Sequence, residues 1–441
     1  MKISLISILC AVAVPLAGAA EAEPRPATNR VVLSADYISL LAQRLRTNHP
    51  AVAAADARAF AAAQNLRAVR TWEDPMVRLG GMAAREPMRA DEGDLIYGVE
   101  QKLPLFGKPK LARAVAAAEI EVAQANTDYQ FQLRRVDFTK HILQAGVNDR
   151  LFAIGREDLQ WLDAVLLTLE NRIATGQASQ LELLKAQNEK SKRAERLNTD
   201  SNNRFHERVA MNIMLGREIG EPWPDFELPP VGPAIPHSPQ LERLALKFEP
   251  KLRMMRQEIK RAQAAVHLVR RQQLPDVSAG IEARNYTGDG SFRQSVLLLS
   301  MNLPWGNRAK YKHDISREEA KSLATEWEAR DYELTIQEEI HKLILMIDAG
   351  RRNALLFRDQ IIPRSRTGLE AIRAAWEAGR GTLNEVLEGR RMLLEAEAMY
   401  AQAVADQYTA MAELVLCCGL GDLQALEMIT GSNSTAPPKQ K

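Results

Sequence analysis

Histidine, cysteine and paired carboxylates are the side chains from which most catalytic and metal sites are built, and in this chain they are dispersed. The seven histidines (His49, His141, His206, His237, His267, His313 and His341) form no HExxH or other close ligand spacing. No GxGxxG, GxxxxGKS/T or GxSxG segment supplies a phosphate cradle or a nucleophile elbow. His341 follows Glu338 and Glu339 in a stretch dense in Glu and Lys, which reads as a helix surface. Cys417 and Cys418 are adjacent, a poor geometry for a disulfide, and read as small apolar side chains near a helix end. The 14 methionines are scattered and make no soft-metal relay. This inventory predicts no enzyme, no cofactor and no resident metal; a secreted enzyme on a helical scaffold would need a clustered polar site that the sequence lacks.

Charged and polar residues do gather at two glycines. Gly176 is flanked by Arg172, Gln177, Ser179, Gln180 and Glu182. Gly379 is flanked by Trp376, Glu377, Arg380, Thr382, Asn384, Glu385 and Glu388. If these segments are helix reversals meeting in an oligomer, Glu182, Glu385 and Glu388 would ring a constriction. A ring of carboxylates focuses cations and repels anions. The plainer alternative is three solvated acids on helix surfaces.

The elements that would position them are written twice. Pro50, Pro75 and Pro104 recur 200 positions later as Pro250, Pro275 and Pro304, in the same order and in similar surroundings. Leu103-Pro104-Leu105-Phe106-Gly107-Lys108 is answered by Leu303-Pro304-Trp305-Gly306-Asn307. Later landmarks slip slightly: Gly176 and Gly379, and Gly216 and Gly419, are each 203 apart. Each half then reads as a helix (51–72 and 251–273), two strands, and a long helical hairpin reversed at one glycine.

The strands are expected at 75–82 and 95–105 in the first half and at 276–284 and 292–303 in the second. Polar loops at 83–94 and 285–291 join them. Val99, Gln101 and Leu103 alternate with Gly98, Glu100 and Lys102, the two-residue period of a strand with one dry and one wet face. Four such strands leave two open edges, which lipid does not tolerate, whereas three copies would supply twelve strands and no edge. A small soluble four-stranded sheet is the alternative.

From Lys108-Pro109 to Thr175 there is no further proline. Val115, Val122, Tyr129, Val136 and Leu143 recur by sevens, as do Ile340, Ile347, Ala354 and Ile361 in the second half. Leu387, Leu394, Ala401, Tyr408 and Val415 continue the interval on the return segment. These repeats predict hairpins of roughly 100 Å, the second bent at Pro363. The chain between the halves, 216–240, carries Trp223, Phe226 and a run of prolines and reads as an irregular belt. The tail from 422 is flexible in this reading.

Lys2, the apolar run Ile3 to Leu16 and the small residues after it form a secretory signal over 1–20, with cleavage conceivable after Ala19, Ala20 or Ala22 and a retained anchor as the other reading. Cys10 is preceded by Leu9, not by the small residue of a lipoprotein site, so no lipid anchor is expected. With 58 basic and 56 acidic residues, there is no basic bias toward nucleic acid. Domain boundaries follow: 1–20 signal, 21–215 first repeat, 216–240 connector, 241–421 second repeat and 422–441 tail.

The duplicated plan, the Leu103–Lys108 transition and the Ala378-Gly379-Arg380-Gly381-Thr382-Leu383-Asn384-Glu385 reversal resemble the TolC-type outer membrane efflux proteins over about 36–421. The chain is most similar to the metal-cation branch represented by CusC and CzcC. The resemblance implies a mainly α fold with a small membrane β-barrel. It implies a homotrimer with a 12-stranded barrel in outer membrane lipid and a periplasmic α-helical tunnel. The partners implied are a periplasmic adaptor (membrane fusion protein) and an inner membrane pump of the resistance-nodulation-division (RND) type. By the same likeness Gly176, Gln177, Gly379, Arg380 and Gly381 fall at adaptor-docking tips, and Glu182, Glu385 and Glu388 at a periplasmic aperture. Trp376 and Arg380 fall near a closed-state latch, although Gly381 stands at the nearest equivalent of the family's basic position. Passive export of heavy-metal cations is the expected function. Drug or other small-molecule export is the alternative within the family, and a soluble periplasmic coiled-coil adaptor the alternative outside it.

Overall fold

A computed structural model describes residues 30–82, 94–287, 290–423 and 425–426. The signal segment, Cys10, most of the loop at 83–94 and the tail from 427 lie outside the described residues. In chain order the elements are β1 (Arg30–Val32), α1 (Ala35–Gln43), α2 (Leu45–Asn48), α3 (Pro50–Ala68), β2 (Met76–Met82), β3 (Asp94–Leu103), α4 (Lys108–Ala174), α5 (Gln180–Met214) and β4 (Asp225–Glu227). They continue with α6 (Pro239–Phe248), α7 (Pro250–Gln272), β5 (Val277–Tyr286), β6 (Phe292–Met301), α8 (Arg308–Leu356), α9 (Ile362–Glu377) and α10 (Leu383–Cys417).

One pair of the repeat prolines starts helices. Pro50 and Pro250 open α3 and α7, where a missing N–H costs nothing and a fixed φ helps. Helix α4 runs 67 residues without a break, about 100 Å. The α8–α9 arm is interrupted by a π-helical turn, Phe357–Ile361, placed immediately before Pro363. Proline lacks the N–H for a regular i→i−4 bond and crowds the preceding turn, and a wider turn relieves both. A π turn therefore stands where a bend was expected.

Nine of the fourteen heptad positions, Val136, Leu143, Ile340, Ile347, Ala354, Leu394, Ala401, Tyr408 and Val415, are buried, and Val115, Val122, Tyr129, Ile361 and Leu387 are half-buried. The buried ones belong mainly to one core shared by α1, α4, α8, α10 and the connector; a smaller core joins α4, α5, α9 and α10 toward the reversals. Gly350 lets α8 and α10 touch, since a Cβ there would sit 3.0 Å from the backbone nitrogen of Gln407.

The connector is more ordered than an irregular belt. β4 pairs in parallel with β1, a strand of three residues unforeseen in the sequence. Fully buried Asn212 donates to the carbonyls of Ile219 and Glu221 and accepts from Trp223 Nε1 at 2.7 Å. Asp149 accepts from Phe226 N at 2.7 Å and is held by Arg204 and Arg208. On the other side Gln407 accepts from Gly232 N at 3.0 Å, and Tyr408 Oη donates to the Pro230 carbonyl. The segment is therefore tied to both hairpins. Cys418 is buried and Cys417 half-buried, unpaired among the described residues, and burial pushes each thiol up to about 12.

Candidate functional site

Two regions carry the functional geometry: the four-stranded sheet and the pair of helix reversals. The sheet runs antiparallel in the order β2-β3-β5-β6, so the two repeats meet at β3 and β5 and the outer sides of β2 and β6 are open among the described residues. Its strands begin and end within two residues of the sequence expectation.

Register separates two chemistries. One row across all four strands is Val77, Val99, Ile281 and Leu297. With Leu79, Leu95, Tyr97, Leu299 and Met301 it forms an exposed apolar face, on which Leu79 and Leu297 are 80% accessible. Each such aliphatic side chain left in water forgoes about 1.5–3 kcal/mol of burial, so this face requires an apolar cover. The opposite face is polar. Glu100 pairs with Arg78 and accepts from Ser300 Oγ at 2.7 Å. Glu282 accepts from Arg284 at 3.0 Å, and Asp94 from Arg293 at 2.7 Å. Gly98 lies opposite Glu282 and Gly280 opposite Glu100. A Cβ on either glycine would lie 2.8 Å from a carbonyl of the neighbouring strand. One apolar face, one charged face and two open edges are the pattern that a transmembrane barrel wall requires of its strands.

Below the sheet, Lys108 at the start of α4 donates to the Leu274 carbonyl at 2.6 Å and to Asp276 at 2.8 Å. Lys102 reaches Glu73 at 2.8 Å and Asp276 at 3.6 Å. This network lines a cleft of about 520 Å³ and joins the two repeats where strand turns into helix.

At the far end the two reversals share one construction. Helix α4 ends with Gly176 at φ 72° and α9 with Gly379 at φ 75°. Gly176 N donates to the Ile173 carbonyl and Gln177 N to that of Arg172; Gly379 N donates to Trp376 and Arg380 N to Ala375. Both are Schellman stops, which need a left-handed residue. Ser179 and Thr382 then cap the return helices. Glu182 N donates to Ser179 Oγ while the Glu182 carboxylate accepts from Ser179 N at 3.0 Å; Glu385 and Thr382 repeat this at 2.8 Å. Glu388 pairs with Arg391 at 2.7 Å. All three candidate aperture acids are thus at the reversals, two engaged as helix caps and one on a helix surface.

Trp376 is 3% accessible and packs in the small core. Within one chain its partner is Arg172 rather than Arg380. The Arg172 guanidinium lies 4.9 Å from the Trp376 ring centroid and donates to the Trp376 carbonyl at 2.7 Å, joining the two tips. Gly381 lies against the Trp376 backbone, where a Cβ would meet its nitrogen at 3.1 Å, and Arg380 is exposed. Farther up, Asp158 accepts from Arg390 at 2.9 Å, lies 3.7 Å from Arg193 and ties α4, α5 and α10 together. Sequence reading missed Asp158. The signal was a single charge in the apolar stripe Ile154, Leu162, Val165 and Leu169.

Among the described residues no helix is long and apolar enough to cross a membrane, and no three His, Cys, Asp or Glu side chains form a metal centre. The described residues thus form a four-stranded sheet with two open edges mounted on paired long helical hairpins. A family model described as outer membrane efflux protein matches residues 241–420. The cobalt-zinc-cadmium resistance protein CzcC of Cupriavidus metallidurans is 24% identical over 325 residues, covering 70% of this chain and 74% of that one. The fold is similar to the outer-membrane channel OprN (TM-score 0.76, 17% identity, 88% of this chain and 91% of that one). It is also similar to VceC of Vibrio cholerae (0.72, 15%, 88% and 97%) and to CusC (0.74, 13%, 87% and 92%).

Proposed function

We propose that three copies of this chain close a twelve-stranded barrel and act as the passive outer membrane conduit of a tripartite efflux system, with heavy-metal cations as cargo. The observation that carries the reading is the sheet: an apolar outer face that lipid would cover, a charged inner face suited to a water-filled lumen, and two edges that pair only with further strands. An adaptor and an inner membrane RND pump supply energy and substrate. The reversals at Gly176, Gln177, Gly379, Arg380 and Gly381 are the docking ends in this reading, and Trp376 with Arg380 the candidate latch. Glu182, Glu385 and Glu388 are the acidic groups at the aperture in this reading. Cation cargo is supported by that charge and by the likeness to CzcC.

Three experiments test the reading. Detergent-purified protein should crosslink as a trimer and give discrete conductance steps in planar bilayers; a monomer soluble without detergent would overturn the conduit and favour a soluble adaptor. Glu385→Gln with Glu388→Gln should weaken cation preference and cation block in single-channel records, and unchanged selectivity would sink the acidic aperture. For cargo, deletion of the gene should sensitise its host to cobalt, zinc or cadmium. Sensitivity to organic drugs alone would transfer the assignment to small-molecule export.

A further inference from the structure

Two histidines that the sequence keeps 104 positions apart lie in contact. His237, at the end of the connector, and His341, on α8, have ring centroids 5.8 Å apart at an interplanar angle of 71°. His237 Nε2 lies 3.1 Å from the carboxylate of Glu242 in the first turn of α6. Both imidazoles are substantially solvent-accessible. We propose that His237, His341 and Glu242 form a surface site for a divalent first-row transition ion, separate from the conduit and from the aperture acids.

Distances support the assignment. A tetrahedral ion with ligand bonds of about 2.0–2.2 Å holds neighbouring donor atoms about 3.3 Å apart and the centroids of two bound imidazoles about 5–6 Å apart. The His237–Glu242 separation and the His237–His341 ring separation both match. The three donors do not yet converge on one point. His341 completes the set by turning about its side-chain torsions, which its exposure permits. Glu338, one helical turn before His341, shares that face of α8 and is available as a fourth oxygen donor. Two imidazoles with carboxylate oxygen favour zinc, copper, nickel or cobalt over calcium or magnesium. An ion held there would link the connector and α6 to α8.

The test uses the full chain in detergent with Zn²⁺ alone, followed by equilibrium dialysis and by melting. Wild type should bind one ion per chain at this site and melt higher with zinc. His237→Ala and His341→Ala should each weaken that binding by about 10–100-fold or more, since loss of a ligand costs at least what loss of its supporting partner does. Both variants alter exposed side chains, so helical circular dichroism and the metal-free melt should stay unchanged. His206→Ala, on a different helix, should bind as wild type does. With Cu²⁺, electron paramagnetic resonance should show two coupled nitrogens in wild type and one in each variant. Absence of zinc binding in wild type, an isotherm indifferent to His341→Ala, or a one-nitrogen wild-type spectrum would each overturn the site. Trimer formation and conductance are independent of these results.

Discussion

The two hairpins end in the same turn but are built differently behind it. Each has a Schellman glycine, a five-residue link between its helices and a capping box whose acid is Glu182 or Glu385. Behind the first turn, α4 is unbroken and its return helix α5 is largely exposed, with Ala186 a rare buried apolar residue near the tip. Behind the second, a π turn interrupts the ascending arm, and Trp376, Leu383, Val386 and Leu393 fill a core. Duplication has kept the backbone device that reverses a helix and let the packing behind it diverge. The second tip carries the apolar anchor, and Arg172 of the first leans on it.

The largest expected effect tests that dependence. Trp376→Ala should cost about 3–5 kcal/mol of local stability, the usual range for a buried large aromatic. Hydrogen exchange should quicken around the second reversal and also around Arg172, which loses its ring and its packing. Fast exchange confined to the second tip would mean the first stands unaided. Next in size are Gly176→Ala and Gly379→Ala, each forcing a Cβ into left-handed backbone at about 1–2 kcal/mol. No atom crowds a Cβ at either position, so the two costs should be equal, and a large inequality would show that packing, not φ, governs one of the turns. Ser179→Ala and Thr382→Ala remove matching caps and should each cost about 1 kcal/mol, read from amide exchange in the first turns of α5 and α10.

Much of this was legible beforehand because the relevant signals are local. Alternation along Gly98–Leu103 marked a two-faced strand, heptads marked the hairpin interiors, and Gly176 and Gly379 marked the reversals. What escaped depends on partners distant in sequence. Arg30–Val32 is too short to announce a strand and becomes one only beside Asp225–Glu227. Asp158 looks like any surface acid until Arg390 and Arg193 arrive from two other helices. His341 read as a solvated helix residue because its neighbour, His237, comes from the connector. Pro363 marked an interruption of the helix, but not that a π turn would precede it.

The smallest effect separates the hairpins by pH. In the first, His141 Nδ1 lies 2.8 Å from the Glu207 carboxylate, joining α4 to α5. In the second, the residue 203 positions beyond Glu207 is the fully buried Ala410, where apolar packing has replaced a titrating contact. The hydrogen bond to Glu207 raises the His141 pKa, against a smaller opposing push from burial and with further help from the charges of Glu207 and Asp137. A histidine whose folded pKa lies above its unfolded value stabilises the fold fully below the unfolded value, about 6.5. That contribution fades as pH rises through the folded value. The α4–α5 pairing should therefore exchange more slowly at pH 5.5 than at pH 8.5, after correction for intrinsic exchange rates, with little matching change in α10 beside Ala410. His141→Gln should remove the difference while keeping a polar side chain. If the pH dependence survives in His141→Gln, it arises elsewhere, and the two hairpins differ in packing alone.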